Sequence, residues 1–198
     1  MMQSSMGQSR GSLLVLSGPS GVGKTTIAKR LREVPGIVRV MTATTRARRP
    51  QEVDGRDYRF LAREAFEAGI ARGEFLEHAE IGGNLYGSPR EAIEKELAAG
   101  RLVLVDIDTQ GARSVKALGL PAFFVFVEPP SLEELRRRLE GRESGEPPEE
   151  LRRRLERAER EMAQKDEYDV VVTNAAVERA VEEILAHARR RNLLGQGG

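Results

Sequence analysis

With 198 residues, 32 Lys plus Arg against 31 Asp plus Glu, and 39% hydrophobic content, the chain has the size of one compact domain and a net charge of +1, too small to draw it to a polyanion. It has no cysteine and two histidines, which excludes a disulfide scaffold, a thiol nucleophile and a Cys-ligated metal or cluster, and leaves little for a histidine-built centre. No apolar run approaches the roughly 20 residues of a membrane span, and Met1 to Gly11 lacks the apolar core of a signal peptide. A cytoplasmic location with no membrane or nucleic-acid partner is therefore expected.

Ser12 to Ser17 is a short apolar run that reads as a strand, followed by a glycine-rich turn and a helical pattern from Thr25 to Arg32. Thr42 to Pro89 departs from that rhythm. It is rich in Arg and Gly with short alternating stretches such as Asp57-Tyr58-Arg59-Phe60 and Phe75-Leu76-Glu77-His78-Ala79, the pattern of a small, partly β insertion. The strand–helix alternation then returns three times: Leu102 to Ile107 before Thr109 to Leu118, Ala122 to Val127 before Ser131 to Leu139, and Val170 to Thr173 before Ala176 to Arg191. Repeated βα units with near-continuous apolar strands predict an α/β fold, a parallel sheet with helices on both faces. Arg136 to Arg157 is dense in arginine and interrupted by Gly141, Gly145, Pro147 and Pro148; it is too polar for a core and suits a charged helical hairpin acting as a moving lid.

Gly18-Pro19-Ser20-Gly21-Val22-Gly23-Lys24-Thr25 matches the full phosphate-loop pattern between a strand and a helix. Glycines let backbone N–H groups converge on a phosphate at the positive end of the helix, Lys24 reaches the β and γ oxygens, and the Thr25 hydroxyl is placed for Mg²⁺. The apolar strand ending at Asp106 supplies the acid expected beside such a loop, holding Mg²⁺ directly or through water. Asp106 and Asp108, two apart, would face opposite sides of an extended strand unless a turn intervenes. Of the 32 bases 27 are arginine, whose planar fork suits phosphates.

Four motifs follow in order: Thr44-Thr45-Arg46-Ala47-Arg48-Arg49-Pro50, Asp54-Gly55-Arg56-Asp57-Tyr58-Arg59-Phe60, Phe75-Leu76-Glu77-His78-Ala79 and Asn84-Leu85-Tyr86-Gly87-Ser88. Val105-Asp106-Ile107-Asp108-Thr109-Gln110-Gly111 and Arg138-Leu139-Glu140-Gly141-Arg142 complete the set. In this order and spacing, from Ser12 to about Asn174, the chain resembles the guanylate kinase family. The resemblance implies an ATP:GMP phosphotransferase, acting on GMP and dGMP in purine nucleotide metabolism, with Mg²⁺ accompanying ATP. It implies a P-loop-type core at about 11–41, 90–135 and 158–192, an inserted GMP-binding subdomain at about 42–89, a helical lid at about 136–157 and a disordered tail at 193–198.

The resemblance assigns ATP to Gly18 through Thr25 (Gly18, Pro19, Ser20, Gly21, Val22, Gly23, Lys24, Thr25), with Thr26 and, near the adenine, Asn174. Arg46, Arg49, Tyr58 and Tyr86 match positions holding the acceptor's phosphate; Thr42, Glu77, Ser88 and Asp108 match positions near the guanine. Lys24, Arg46, Arg138 and Arg142 are the implied catalytic residues, and the third lid arginine is Arg154 or its neighbour Arg153, since Glu146-Pro147-Pro148 alters the spacing. The base assignment has its own chemistry: guanine offers N1–H and an exocyclic amino group that one carboxylate accepts together, whereas adenine has no donor at N1. Ser88 before Pro89 also suits a helix N-cap with proline at the first position. The sequence departs from the family at Arg48, where proline is usual, at Gln51, where glycine is usual, and at Ala175-Ala176, where acids are common. The remaining arginines, including Arg152, Arg157 and Arg189 to Arg191, read as solvated helix faces.

The expected chemistry is in-line transfer without a general base, because a phosphate monoester is largely ionised at neutral pH. Other acceptors, among them other nucleoside monophosphates or a phosphorylated sugar, would lack use for the Glu77 to Ser88 segment. A protein-interaction domain of guanylate-kinase type would lack a working phosphate loop, which is intact here. Oligomeric state is not legible.

Overall fold

The computed structural model describes residues 11–142 and 148–194. Five parallel strands form the main sheet in the order β2-β7-β1-β8-β9 (β1 Ser12–Ser17, β2 Ile37–Arg39, β7 Leu102–Asp106, β8 Ala122–Glu128, β9 Val170–Thr173). Parallel neighbours need crossovers, and helices supply them: α1 Lys24–Leu31, α3 Arg90–Ala98 and α4 Thr109–Ala117, with α5 Leu132–Arg142 and α6 Pro148–Met162 between β8 and β9, while α7 Val177–Arg190 follows the last strand and packs back on the sheet. Alternation along β1 explains why both faces must be covered. Leu14 and Leu16 enter one core with Ile27 and Leu31 of α1 and Ile184 of α7, while Leu13 and Val15 enter a second with Ile93 and Leu97 of α3 and Val115 of α4. The α/β class with a helix-flanked parallel sheet is as expected, and the ends predicted for the βα units differ from the observed ones by at most three residues, while the charged hairpin expected at Arg136 to Arg157 begins and ends further out, at Leu132 and Met162.

A second, mixed sheet of four strands, in the order β4-β3-β6-β5, occupies the insertion (β3 Ala43–Thr44, β4 Arg59–Phe60, β5 Phe75–Ile81, β6 Asn84–Pro89). It encloses its own small core of Ala43, Phe66, Phe75 and Leu85, in which the Phe66 and Phe75 rings stack with centroids 4.3 Å apart. Phe66 comes from α2 Arg63–Ala71, a helix that the reading of a partly β insertion omitted. The segment expected to be a lid pairs α5 with α6 around Leu135, Leu139 and Ala158.

Two expectations are corrected. The helix after Pro89 begins at Arg90, with Pro89 itself at the cap position, so Ser88 remains in β6 and does not cap it. Leu193 and Leu194, assigned to the tail, pack partly buried against the core under α7; residues 195–198 lie outside the described residues. Among those described, no helix is long and apolar enough to cross a membrane.

Candidate active site

The register of β1 against β7 places Leu16 opposite Asp106, so the loop leaving β1 and the acid ending β7 emerge side by side at the carboxyl edge of the sheet. In that loop Gly21 and Gly23 both take positive φ, at 85° and 101°, a region closed to most side chains. Gly23 is the N-cap of α1; no side chain caps the helix and no acid occupies its first turn, which leaves its N–H dipoles available to an anion. A Cβ at Gly21 would lie 2.5 Å from Leu139 Cδ2, so glycine there also admits the lid core against the loop. Lys24 Nζ folds back over the loop, donating to the carbonyls of Gly18 at 2.5 Å and Pro19 at 3.2 Å.

A cavity of about 430 Å³ opens from this loop. Gly18, Ser20, Lys24, Thr25 and Asp106 line one end; Thr42, Glu77, Tyr86 and Asp108 line the other. Asp106 and Asp108 both reach it because α4 begins immediately after Asp108, whose Oδ1 accepts from Gly111 N at 2.8 Å as the helix cap. Glu77 is 5% exposed and accepts from Ser88 Oγ at 2.5 Å. Burial pushes its carboxyl up to about 7, the charge of Asp108 adds to the rise, and the Ser88 bond opposes it. Gly111 permits this geometry, since a Cβ there would stand 2.7 Å from Glu77 Oε2.

An adjoining cavity of about 390 Å³ shares Thr25, Tyr58, Tyr86 and Asp106 with the first and adds Arg39, Arg46 and Arg49. Glu52, absent from the sequence reading, organises it. Its Oε1 accepts from Arg46 Nη2 at 2.6 Å and its Oε2 from Arg49 N at 2.9 Å, while Arg48 Nη1 donates to its carbonyl at 2.9 Å. Arg46 lies 5.7 Å from the Tyr58 ring centroid, and Tyr58 meets Tyr86 edge to face at 6.3 Å. An acid closing an arginine-rich turn is the signal that could have identified Glu52.

The other candidate residues make the following contacts. Asn174, expected at the adenine, is buried and donates through Nδ2 to the Val22 carbonyl at 2.8 Å. Arg138 donates to the same carbonyl at 3.3 Å and to that of Asn174 at 3.0 Å, and pairs with Glu134 at 2.9 Å. Both brace the phosphate loop from behind, and Val22 turns its own side chain into the core. Thr26, in the first turn of α1, is exposed. Of the two candidates for the third lid arginine, Arg154 lines the main cavity with Nη2 at 3.4 Å from Ser20 Oγ, whereas Arg153 points outward to Glu149 and Glu150 at 3.7 and 3.9 Å. The side chain of Arg142 lies outside the described residues.

Arg157 requires a correction. It is not a solvated helix face: it lines the main cavity and pairs with Asp108 at 3.1 Å. Helical spacing alone does not show which arginine of a charged helix turns inward.

Among the described residues no group of three or more His, Cys, Asp or Glu stands ready to cage a metal. Thr25 and Asp106 offer two oxygens on the cavity wall, a donor set suited to a magnesium ion whose other ligands are phosphate and water. Burial raises the Asp106 carboxyl above its ordinary range, and Lys24 and Arg39 oppose the rise.

A phosphate loop facing a buried carboxylate across one cavity is the layout to set against known proteins. The chain is 50% identical over 182 residues to a guanylate kinase of Rubrobacter xylanophilus, covering 91% of this chain and 95% of that one. It is 50% identical over 175 residues to a guanylate kinase of Thermobifida fusca, covering 88% and 89%. The crystal structure of guanylate kinase from Anaplasma phagocytophilum superposes with a TM-score of 0.78 at 36% identity, over 96% of this chain and 91% of that one. With the guanylate kinase family model matching residues 10–189 as well, this chain belongs to the guanylate kinase family.

Proposed function

We propose that the chain transfers the γ-phosphoryl group of ATP to GMP, and to dGMP, giving ADP and the guanosine diphosphate, in the cytoplasm. The observation that carries this reading is the single cavity with Lys24 and the phosphate loop at one end and buried Glu77 at the other. ATP phosphates sit on the loop backbone and Lys24. GMP lies in the inserted subdomain at about 42–89, its phosphate between Arg46, Arg49, Tyr58 and Tyr86 and its base against Thr42, Glu77 and Ser88. An ionised Glu77 accepts from N1–H and the amino group together.

An oxygen of the GMP phosphate forms a bond to the γ phosphorus in line with the breaking bond to the β,γ-bridging oxygen, and ADP leaves with that electron pair. With a second phosphate pKa near about 6 the attacking oxygen needs no base. Lys24 and the lid arginines, Arg154 foremost in this structure, offset charge on the group in transit, while Arg46 and Arg49 hold the acceptor in line. Thr25 and Asp106 would hold a magnesium ion, which when bound supplies positive charge to the phosphate oxygens. The lid at about 136–157 and the inserted subdomain fold over the core and exclude water as competing acceptor.

A coupled ADP-release assay with ATP against GMP, AMP, UMP and CMP tests the reading. GMP is expected to be turned over about 10⁴-fold more efficiently than AMP, the discrimination of a site whose buried polar groups go unpaired with the wrong ligand. Equal turnover of AMP removes Glu77 from base recognition.

A further inference from the structure

A chain of charges links the lid to the base end of the cavity. Arg157, on α6, donates from Nε to Glu161 Oε1 at 2.9 Å one turn along the same helix, and from Nη2 to Asp108 Oδ2 at 3.1 Å on the opposite wall. The Asp108 side chain is 11% exposed and that of Glu161 is 7% exposed, both largely buried beneath an Arg157 side chain that is 36% exposed. Glu161 Oε2 is buried with no hydrogen-bond partner among the described residues. All three side chains line the main cavity, and the charge of Asp108 is felt by Glu77.

Guanine presents three hydrogens on its N1–amino edge, one at N1 and two on the amino group. The two oxygens of Glu77, one of them already bonded to Ser88, take the pair that lies parallel to a carboxylate. The remaining amino hydrogen needs a second acceptor. Asp108 is the acid on the cavity wall whose charge Glu77 feels, and two acids facing each other tend to turn apart. A guanidinium on its Oδ2 holds it in place against that tendency, while Gly111 N holds Oδ1 from the other side.

We propose that Arg157 is a positioning residue for guanine selectivity: anchored by Glu161, it keeps Asp108 oriented to accept the amino hydrogen that Glu77 does not take, and ties that contact to the position of the lid. The inference rests on the GMP reading above. Because Arg157 belongs to α6, an open lid withdraws it from Asp108, so base selectivity sharpens as the lid closes.

Inosine monophosphate keeps N1–H but lacks the amino group, and it separates this role from general support of the fold. Steady-state kinetics with ATP and either GMP or inosine monophosphate would be measured for the full chain and for Arg157→Ala, Arg157→Lys, Asp108→Asn and the combination of Arg157→Ala with Asp108→Asn. Arg157→Ala is expected to raise KM for GMP about tenfold with kcat nearly unchanged, the size of one charge-assisted hydrogen bond, while kcat/KM for inosine monophosphate stays within about twofold. Arg157→Lys should recover part of the preference. Asparagine still caps α4, so Asp108→Asn should lose the preference without unfolding, and adding Arg157→Ala should then change it by less than about twofold. An unchanged preference for GMP over inosine monophosphate in Arg157→Ala, independent losses in the combined variant, or a lowered KM for GMP, which would make the pair a block on the empty site, each overturns the proposal. If Arg157→Ala does not fold, Arg157→Lys and its combination with Asp108→Asn close the same cycle. Failure of the underlying reading looks different, because the unaltered chain would then show no GMP turnover.

Discussion

The two ends of the cavity are built by opposite means. At the phosphate end the binding groups are mostly backbone, contributed by eight consecutive residues, Gly18 to Thr25, and braced from outside by Asn174 and Arg138. At the base end they are side chains from separate elements: Glu77 from β5, held by Ser88 of β6 behind it, Asp108 at the start of α4 and Arg157 from α6. A phosphate is a compact charge that any converging set of N–H groups can hold. A purine edge is a pattern of donors and acceptors that only placed side chains can read. The phosphate end therefore tolerates change around it as long as its loop is intact, and the base end depends on the relative placement of two subdomains and the lid.

The largest effect should come from the phosphate end. Lys24→Ala removes the one side-chain cation that the loop carries to the transferring group, and kcat should fall by about 10³ or more while GMP binding, measured by calorimetry, changes little. A kcat within tenfold of the unaltered chain would show that backbone N–H groups suffice and would break the contrast between the two ends. Next, Glu77→Gln replaces one acceptor by a donor facing a donor and should raise KM for GMP by about 30-fold, with KM for ATP unchanged. An unchanged KM for GMP would move base reading elsewhere.

The pH dependence of Glu77 sharpens the same contrast. Its carboxyl titrates at about 7 in the folded chain, against an ordinary value of 4.5. Recognition requires the ionised form, so kcat/KM for GMP should fall about tenfold per pH unit below 7, and the profile should lose that limb in Glu77→Gln. Stability runs the other way. A folded pKa above the unfolded one means a contribution fully present below about 4.5 and lost as pH rises through 7, worth up to about 3 kcal/mol. Thermal midpoints at pH 5 and pH 8.5 should show the unaltered chain losing stability relative to Glu77→Gln at the higher pH; parallel behaviour of the two would place the titration in another group.

The smallest effect is expected behind the phosphate loop. Asn174→Ala deletes the bond to the Val22 carbonyl, a buried acceptor that Arg138 still reaches, so the cost should be about 1 kcal/mol in stability and a few-fold in KM for ATP. A hundredfold rise in KM for ATP would instead put Asn174 in contact with the nucleotide.

Much of the core was legible because each strand had to be apolar on both faces and each crossover helical. Leu13 to Leu16 and Leu102 to Val105 carry that demand openly. What escaped was short or shared. The three residues of β2 make too brief a run to register a period, and α2 contributes Phe66 to a core whose other members come from β3, β5 and β6. Ser88 offered two readings, cap or site hydroxyl, and only the position of Glu77 across the hairpin separates them.

The sequence by itself determined the phosphate loop, the parallel α/β core and the family, because these rest on contiguous residues whose backbone geometry or burial leaves few alternatives. Tertiary structure alone decided that Glu52 organises the acceptor arginines, that Asn174 and Arg138 brace the loop, and that Arg157 turns inward to Asp108. In α6 the apolar stripe of Leu151, Leu155 and Ala158 marks the side that packs on α5, but arginines flank it on both sides, so local pattern does not say which of them reaches the cavity. The direction is set by a carboxylate on another element, 49 residues away along the chain, and distance through sequence carries no trace of that proximity.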